Sequence, residues 1–114
     1  MGFFNELIAT VRCSNCKALY EDAIQFKFGH TRQLRYRLGD KLQWQKANDI
    51  GEPGMKKVKV YGIAGMIKCP VCAESDECSE YDIFVEDDVL VGFDRMGEYD
   101  YMGSTEGCYK VLIK

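Results

Sequence analysis

Two pairs of closely spaced cysteines constrain this chain more than any other feature of its sequence. Cys13 and Cys16 form the first pair, and Cys69 and Cys72 form the second. A loop with two cysteines separated by two residues can point both thiolates at one position, and two such loops complete a tetrahedral ligand set around a cation. The spacing therefore predicts a metal site whose ligands are Cys13, Cys16, Cys69 and Cys72.

Four thiolates are the ligand set typical of structural zinc, because they are soft, negatively charged and fit a tetrahedron without strain. A catalytic zinc keeps one position open for water or substrate and often uses histidine. We therefore expect a structural zinc that takes no part in catalysis. Ligand type alone does not separate zinc from iron.

The chain has six cysteines in all, so three disulfides are the alternative. Residues 1–6 lack a basic leader followed by an apolar stretch, and the paired spacing favours thiolates in a reducing compartment. No apolar run approaches the roughly 20 residues that a membrane helix needs. The sequence predicts a cytoplasmic protein. Cys78 is expected to be a partly exposed thiol, or else an alternative ligand, and Cys108 a core residue.

Alternating apolar and polar residues predict a mainly β fold. With 114 residues, of which 46% are hydrophobic, we expect one domain, 1–114, with a core of its own. Period-two alternation is typical of half-buried antiparallel strands, and we expect such strands at residues 22–28, 31–38, 56–61, 81–86, 89–93 and 108–113. Asp87-Asp88 is the expected hairpin turn. At most one short N-terminal helix is expected, within residues 2–10.

The two cysteine loops resemble the knuckles of the zinc-ribbon class, and rubredoxin uses similar knuckles to hold iron. This resemblance implies a zinc-ribbon-like domain in which the 52 residues between Cys16 and Cys69 form an inserted antiparallel sheet. Both groups commonly have glycine after the second cysteine of a knuckle. Lys17 and Ala73 stand at these positions here.

The start of the chain is similar to that of small bacterial and phage proteins with no established activity. The similarity rests on Met1-Gly2-Phe3-Phe4-Asn5, on the Cys13/Cys16 pair and on Gln25-Phe26-Lys27. It implies a bacterial or phage setting and no particular reaction.

Charge is distributed unevenly along the chain. Residues 12–68 hold 12 Lys or Arg against 5 Asp or Glu, whereas residues 69–114 hold 3 against 12, and Glu6 completes the net charge of −3. If the first three predicted strands share a sheet, its outer face combines cations with an aromatic ring, as in proteins that bind single-stranded nucleic acid. The candidate binding residues are Lys27, Arg35, Arg37, Lys57, Lys59 and Tyr61.

Two other features favour a protein partner. The pI of about 5.2 is low for a nucleic-acid-binding module, and carboxylates on strand 80–86 could neutralise the neighbouring cations. Tyrosines among carboxylates suit docking onto a basic protein, as in inhibitors and immunity proteins. These tyrosines are Tyr99, Tyr101 and Tyr109.

Little in the sequence indicates catalysis or a small-molecule substrate. His30 is the single histidine, and its Gly-His-Thr context predicts a surface turn. The dense carboxylates of residues 74–88 lack the pattern of a calcium loop, and no glycine-rich phosphate loop occurs. We expect a non-enzymatic protein that engages another protein, with an inhibitor or immunity-type role as the example of such a function, and the alternative is a nucleic-acid-binding zinc ribbon.

Overall fold

The structure, a computed structural model, describes residues 4–13, 15–31, 33–45, 49–65, 69–72, 80–96 and 109–113. In these ranges the chain forms strands and turns and contains no helix. The strands are β1 (Asn5–Arg12), β2 (Leu19–Phe26), β3 (Gly29–His30), β4 (Arg35–Tyr36), β5 (Asp49–Ile50), β6 (Lys57–Ile63), β7 (Glu80–Glu86), β8 (Val89–Arg95) and β9 (Tyr109–Ile113). The mainly β fold predicted from the sequence is confirmed.

Most of these strands belong to one mixed sheet. Its order is β4-β1-β2-β6-β7-β8, and β9 pairs with the part of β6 that β2 leaves uncovered. Neighbours are antiparallel throughout except for β1 and β4, which are parallel. β3 and β5 form a separate two-stranded antiparallel sheet.

The main sheet curls until both of its edges meet the same connecting segment, residues 35–42. The start of this segment is β4, which pairs with β1. After a turn, the amide of Gly39 donates to the carbonyl of Leu90 at 2.7 Å, and the amide of Leu90 donates to the carbonyl of Asp40 at 3.0 Å. The segment therefore joins β1 to β8 and makes the sheet a partly closed barrel.

The inside of the barrel is the hydrophobic core. Every second residue of the long strands points inward, so that one face of each strand leaves water. The buried apolar residues are Leu7, Ala9, Val11, Ile24, Phe26, Phe28, Tyr36, Leu42, Val58, Val60, Tyr81, Ile83, Val85 and Leu90. Trp44, which packs against Phe28, and Tyr109 cover one end of this core.

Strand β1 occupies the segment in which a short helix was considered. Leu7, Ala9 and Val11 are buried, and the residues between them are not. This period of two matches a strand and not the 3.6-residue period of a helix. All eight residues of β1 pair with β2, so that long-range pairing decides the conformation.

Residues 31–38 do not form the single strand that their alternation predicts. Of the residues described here, 31 and 33–38, only Arg35–Tyr36 are in a strand, and Gln33 adopts a left-handed φ of 59°. The prediction was wrong because period-two patterning does not report a residue at which the backbone turns. Arg35, in β4, is separated from β6 by two strands, β1 and β2.

A buried asparagine fixes the path of this irregular segment. Asn5 is 0% exposed. Its Nδ2 donates to the carbonyls of Phe28 and His30, both at 3.1 Å, and its Oδ1 accepts from the amide of Leu34 at 3.1 Å. Asn5 thereby binds three backbone groups of this segment, and its own buried polar atoms are satisfied in turn.

The remaining predicted strands are present with shifted ends. Segments 22–28, 56–61, 81–86, 89–93 and 108–113 correspond to β2, β6, β7, β8 and β9. Asp87 and Asp88 form the predicted tight turn, with φ of 50° and 67°. Two successive left-handed residues are typical of a type I′ turn, whose twist suits a two-residue hairpin.

Candidate metal centre

The two cysteine loops lie at the same end of the barrel because of the direction of their strands. Cys13 follows β1 directly, and Cys69 lies beyond the end of β6. β1 and β6 are both antiparallel to β2, which separates them in the sheet. They therefore run in the same direction, and the loops that follow them meet despite the long chain between them.

The four sulfur atoms form one compact group. The Sγ atoms of Cys13 and Cys72 are 3.7 Å apart, as are those of Cys16 and Cys69, and all four lie within 4.8 Å of one another. Zinc–sulfur bonds of about 2.3 Å give a tetrahedron with an edge of about 3.8 Å. The cysteines are free thiols, and the group could hold a metal ion.

Backbone amides point at the sulfurs in both loops. The amide of Asn15 donates to Cys13 Sγ at 3.4 Å, and the amide of Val71 donates to Cys69 Sγ at 3.3 Å. Each donor lies two residues after its acceptor, so the same turn occurs twice. Such bonds orient the sulfurs and stabilise their thiolate form.

Lys17 takes the conformation for which knuckles commonly use glycine. Its φ is 65°. Its amide donates to the carbonyl of Cys13 at 3.1 Å, and the amide of Cys13 donates to the carbonyl of Ala18 at 2.9 Å. The turn therefore forms without glycine, at the cost of left-handed strain in a residue with a side chain. Ala73, the equivalent position in the second loop, lies outside the described residues, as do Cys78 and Cys108.

Asn15 is a contributor that sequence reasoning missed. Its side-chain Nδ2 approaches Cys72 Sγ at 3.6 Å, so that the first loop donates a hydrogen bond to a ligand in the second. Asparagine inside a Cys-x-x-Cys loop was visible in the sequence, but only the folded arrangement shows which sulfur it reaches.

The thiols differ in acidity because their hydrogen bonds differ. The amides of Cys16 and Asn15 lower the pKa of Cys13, against the opposing effect of desolvation. The amide of Ala18 lowers the pKa of Cys16, but desolvation and the bonds among the thiols outweigh it and raise this pKa to about 11. The pKa of Cys13 is therefore lower than that of Cys16, and a cation must displace the proton of Cys16 to bind fully.

The predicted binding residues fall into two separate groups. Arg35 and Arg37 lie beside β1, where Arg35 Nε bonds Glu6 and Arg37 Nη1 bonds Glu21, both at 3.3 Å. These ion pairs line two adjoining clefts of about 380 and 310 Å³ on the outside of β1 and β2. Exposed pairs of this kind contribute about 0–1 kcal/mol each, and they neutralise the two arginines locally.

The second group lies on the outside of β6. Lys57, Lys59 and Tyr61 alternate there with buried Val58 and Val60. The hydroxyl of Tyr61 donates to Glu80 at 2.6 Å, so that one predicted carboxylate does meet this strand. Lys27 follows β2 and is half-buried. The six predicted residues therefore do not form one face.

His30 is not the surface turn residue that the sequence predicts. It belongs to β3, and its side chain is 15% exposed. Its Nδ1 lies 3.2 Å from Oδ1 of Asp49 in the paired strand β5, and Asp49 Oδ2 accepts from the amide of Gln45 at 3.0 Å. The pair joins the two strands of the small sheet. Of the tyrosines predicted to dock, Tyr109 packs on Phe28 with ring centroids 5.1 Å apart, and Tyr99 and Tyr101 lie outside the described residues.

Comparison with family models, with curated proteins and with solved structures finds no match to this chain. The described residues also include no helix long and apolar enough to cross a membrane.

Proposed function

We propose that this protein is a small, non-enzymatic, cytoplasmic binding protein whose fold is stabilised by structural zinc. The proposal is carried by the sulfur group, whose 3.7 Å separations match the edge of a zinc tetrahedron. Four protein ligands leave no open position for water or substrate. Zinc is favoured over iron(II) because divalent zinc binds a given ligand set more tightly.

We infer that the metal connects two chain segments that would otherwise separate. Cys13 and Cys16 follow β1, whereas Cys69 and Cys72 lie between β6 and β7. Among the described residues, the backbone of β2 pairs with that of β6 at two positions, Gln25–Ile63 and Phe26–Gly62. The cation would therefore tie the β1–β2 hairpin to the β6–β7 connection, where strand pairing contributes least.

A protein partner is supported by apolar side chains beside the sulfurs. Val71, within the second loop, is 68% exposed, and Leu19, at the start of β2, is 60% exposed. Exposed apolar residues on a rigid support are typical of docking surfaces, because little conformational entropy is lost when they are covered. The proposed partner therefore contacts the metal end of the barrel through an apolar surface.

Metal analysis and affinity capture with matched variants test this proposal. One zinc per chain is expected in the purified protein, and a red, iron-containing protein would contradict the choice of metal. Partner capture is expected to fail for Leu19→Glu and Val71→Glu but to survive Val91→Glu, which places the same charge on the exposed side of β8. Equal capture by all three variants, with zinc bound in each, would contradict the proposed surface.

The nucleic-acid alternative loses support in its original form. It required the six predicted residues to act together. Arg35 and Arg37 are instead paired with carboxylates, and they lie apart from Lys57 and Lys59. A narrower surface, which does not depend on these arginines, is considered next.

A further inference from the structure

Four residues, one on each of the neighbouring strands β9, β6, β7 and β8, form a row on the outside of the barrel. Lys110 of β9 faces Lys59 of β6, Lys59 faces Phe84 of β7, and Phe84 faces Gly92 of β8. Directly paired residues point to the same side of a sheet. The neighbours of Lys59 and Phe84 along their strands are buried in the core, so the row itself faces outward. We call these four residues the Phe84 row.

Gly92 leaves open space beside the aromatic ring. Among the residues that the structure describes, none has an atom within 4 Å of a Cβ built at Gly92, and the φ of Gly92 lies outside the left-handed range in which glycine is required. A positive φ is therefore not the reason for glycine here, although β7 and β8 shift register beside this pair, where a bulge can use glycine. Glycine inside a strand weakens it, and one of its recognised uses is to allow close approach of a ligand. The opening lies directly opposite Phe84.

The other end of the row concentrates positive charge. Lys59 and Lys110 are directly opposed on two neighbouring strands, so that two positively charged side chains start side by side on the outer face. Lys57 lies two residues from Lys59 on the same face. Lys59 thus directly faces a half-buried aromatic side chain that is not part of the core cluster, and Lys57 and Lys110 are the neighbours of Lys59 on this face.

Acidic residues limit the extent of this surface. Asp82 faces both Tyr61 and Asp94 in the adjacent row, and Glu86 is exposed on β7 beyond Phe84. An anionic ligand would be repelled from these positions. The favourable track therefore follows the Phe84 row itself and has room for only a few ligand units, because neighbouring strands lie about 4.8 Å apart.

We propose that the Phe84 row binds single-stranded nucleic acid. A base stacks on Phe84 in the space left by Gly92, and phosphates bind Lys59, Lys110 and Lys57. Aromatic stacking combined with cations is the general chemistry of single-strand recognition, and no contact on the row depends on base identity. This site is separate from the metal end and does not depend on the protein partner proposed above.

The test is the fluorescence anisotropy of a labelled oligothymidylate titrated with zinc-loaded, full-length protein at low salt. Weak, salt-sensitive binding is expected. Three phosphate contacts predict a slope of about −2 in a plot of log affinity against log salt concentration. Oligouridylate is expected to bind comparably, and duplex DNA of equal length more weakly, because its bases are already stacked. No anisotropy change at low salt, or equal affinity for duplex, would overturn the proposal.

Two variants separate stacking from general electrostatics. Phe84→Leu keeps an apolar side chain but removes the flat ring, and about tenfold weaker binding is expected. Gly92→Val fills the opening and should weaken binding by a similar factor, about tenfold, while thermal stability stays equal or rises, because valine suits a strand. Unchanged binding by both variants would overturn the stacking contact.

Charge reversals complete the test. Lys59→Glu should weaken binding and flatten the salt slope, whereas Arg35→Glu, the matched reversal beside β1, should leave both nearly unchanged. Loss of binding in Arg35→Glu alone would assign the nucleic acid to the clefts beside β1 and overturn the proposed location.

Discussion

The two ends of the barrel are held by different forces. At the metal end, residues 15–18 and 69–72 belong to short turns between strands, and four sulfurs are what the two turns have in common. At the opposite end, which we call the Asn5 end, Asn5 binds three backbone groups and Phe28 packs edge-on against Trp44 at 5.4 Å between ring centroids. On the function proposed above, one end depends on a metal ion from solution, whereas the other depends on contacts within the chain. The two ends should therefore respond to different perturbations.

Removal of the metal should have the largest effect, and it should act on the metal end first. We expect Cys69→Ser to lower the free energy of unfolding by about 5 kcal/mol, less than the roughly 10–16 kcal/mol of zinc-finger peptides, because the barrel retains its core. In hydrogen exchange, chelator should expose amides of residues 13–20 before those of β7. Val71→Ser, in the same loop, is the control. Equal loss of protection at both ends would contradict the comparison.

Lowering the pH should release the metal from the protein. Cation binding requires thiolates, and the raised pKa of Cys16, about 11, means that this thiol is protonated before the metal binds. Metal affinity should therefore fall as pH falls, since protons compete for the sulfurs. Zinc release monitored by a colorimetric chelator over a pH series measures this. An affinity independent of pH would exclude thiolate ligation.

Truncation of Phe28 should be the largest single perturbation of the Asn5 end. Phe28 is 1% exposed and contacts both Trp44 and Tyr109. We expect Phe28→Ala to lower the free energy of unfolding by about 3–5 kcal/mol through lost burial and a cavity. Denaturant unfolding in excess zinc measures this, and Phe28→Leu should cost less. Zinc stoichiometry of the folded fraction should not change.

The two asparagines offer a matched pair of intermediate effects. Asn5→Ala leaves buried backbone groups without partners and should cost about 1–3 kcal/mol in stability. Asn15→Ala removes the donor to Cys72 Sγ and should weaken metal binding about tenfold, as loss of an outer hydrogen bond commonly does. Competition with a metal indicator distinguishes them. If Asn5→Ala changed metal affinity as much as Asn15→Ala, the two ends would not be independent.

The smallest expected effect is a gain. Lys17→Gly relieves a left-handed conformation and should raise the stability of the metal-bound protein by about 1 kcal/mol. Lys56→Gly, at an exposed lysine without a positive φ, should be neutral or slightly destabilising. Thermal denaturation of both variants measures the difference. A loss of stability in Lys17→Gly would indicate that the lysine side chain contributes more than its strain costs.

The four cysteines could be predicted because their chemistry is local: two short loops and a spacing. Strands β6 and β7 were predictable for a similar reason, since buried and less buried residues alternate along them from end to end. Residues 31–38 show where this fails. The backbone turns at Gln33, and the amide of Leu34 donates to the side chain of Asn5, which is far away in sequence. Neither feature can be recognised from the alternation of apolar and polar residues.

The relation between faces was also beyond the sequence. Arg35 and Lys59 each follow the outward pattern, but β1 and β2 lie between their strands. Conversely, the meeting of Lys110 with Lys59 and of Phe84 with Gly92 depends on register, which is set by pairing across the whole sheet. Patterning indicates which side of a strand faces water, and topology decides which strands share it.

In chains related to this one, the strands that precede the two cysteine loops should also run in the same direction, as β1 and β6 do. Segments of different lengths can be inserted between the cysteine pairs, as the small β3–β5 sheet already illustrates, provided that the strand before the second pair keeps its direction. Divergent relatives should therefore differ widely in the interval from Cys16 to Cys69. A rearrangement that reversed the strand before the second cysteine pair would place this pair at the opposite end of the barrel. Lengthening the segment that precedes this strand would not then restore coordination.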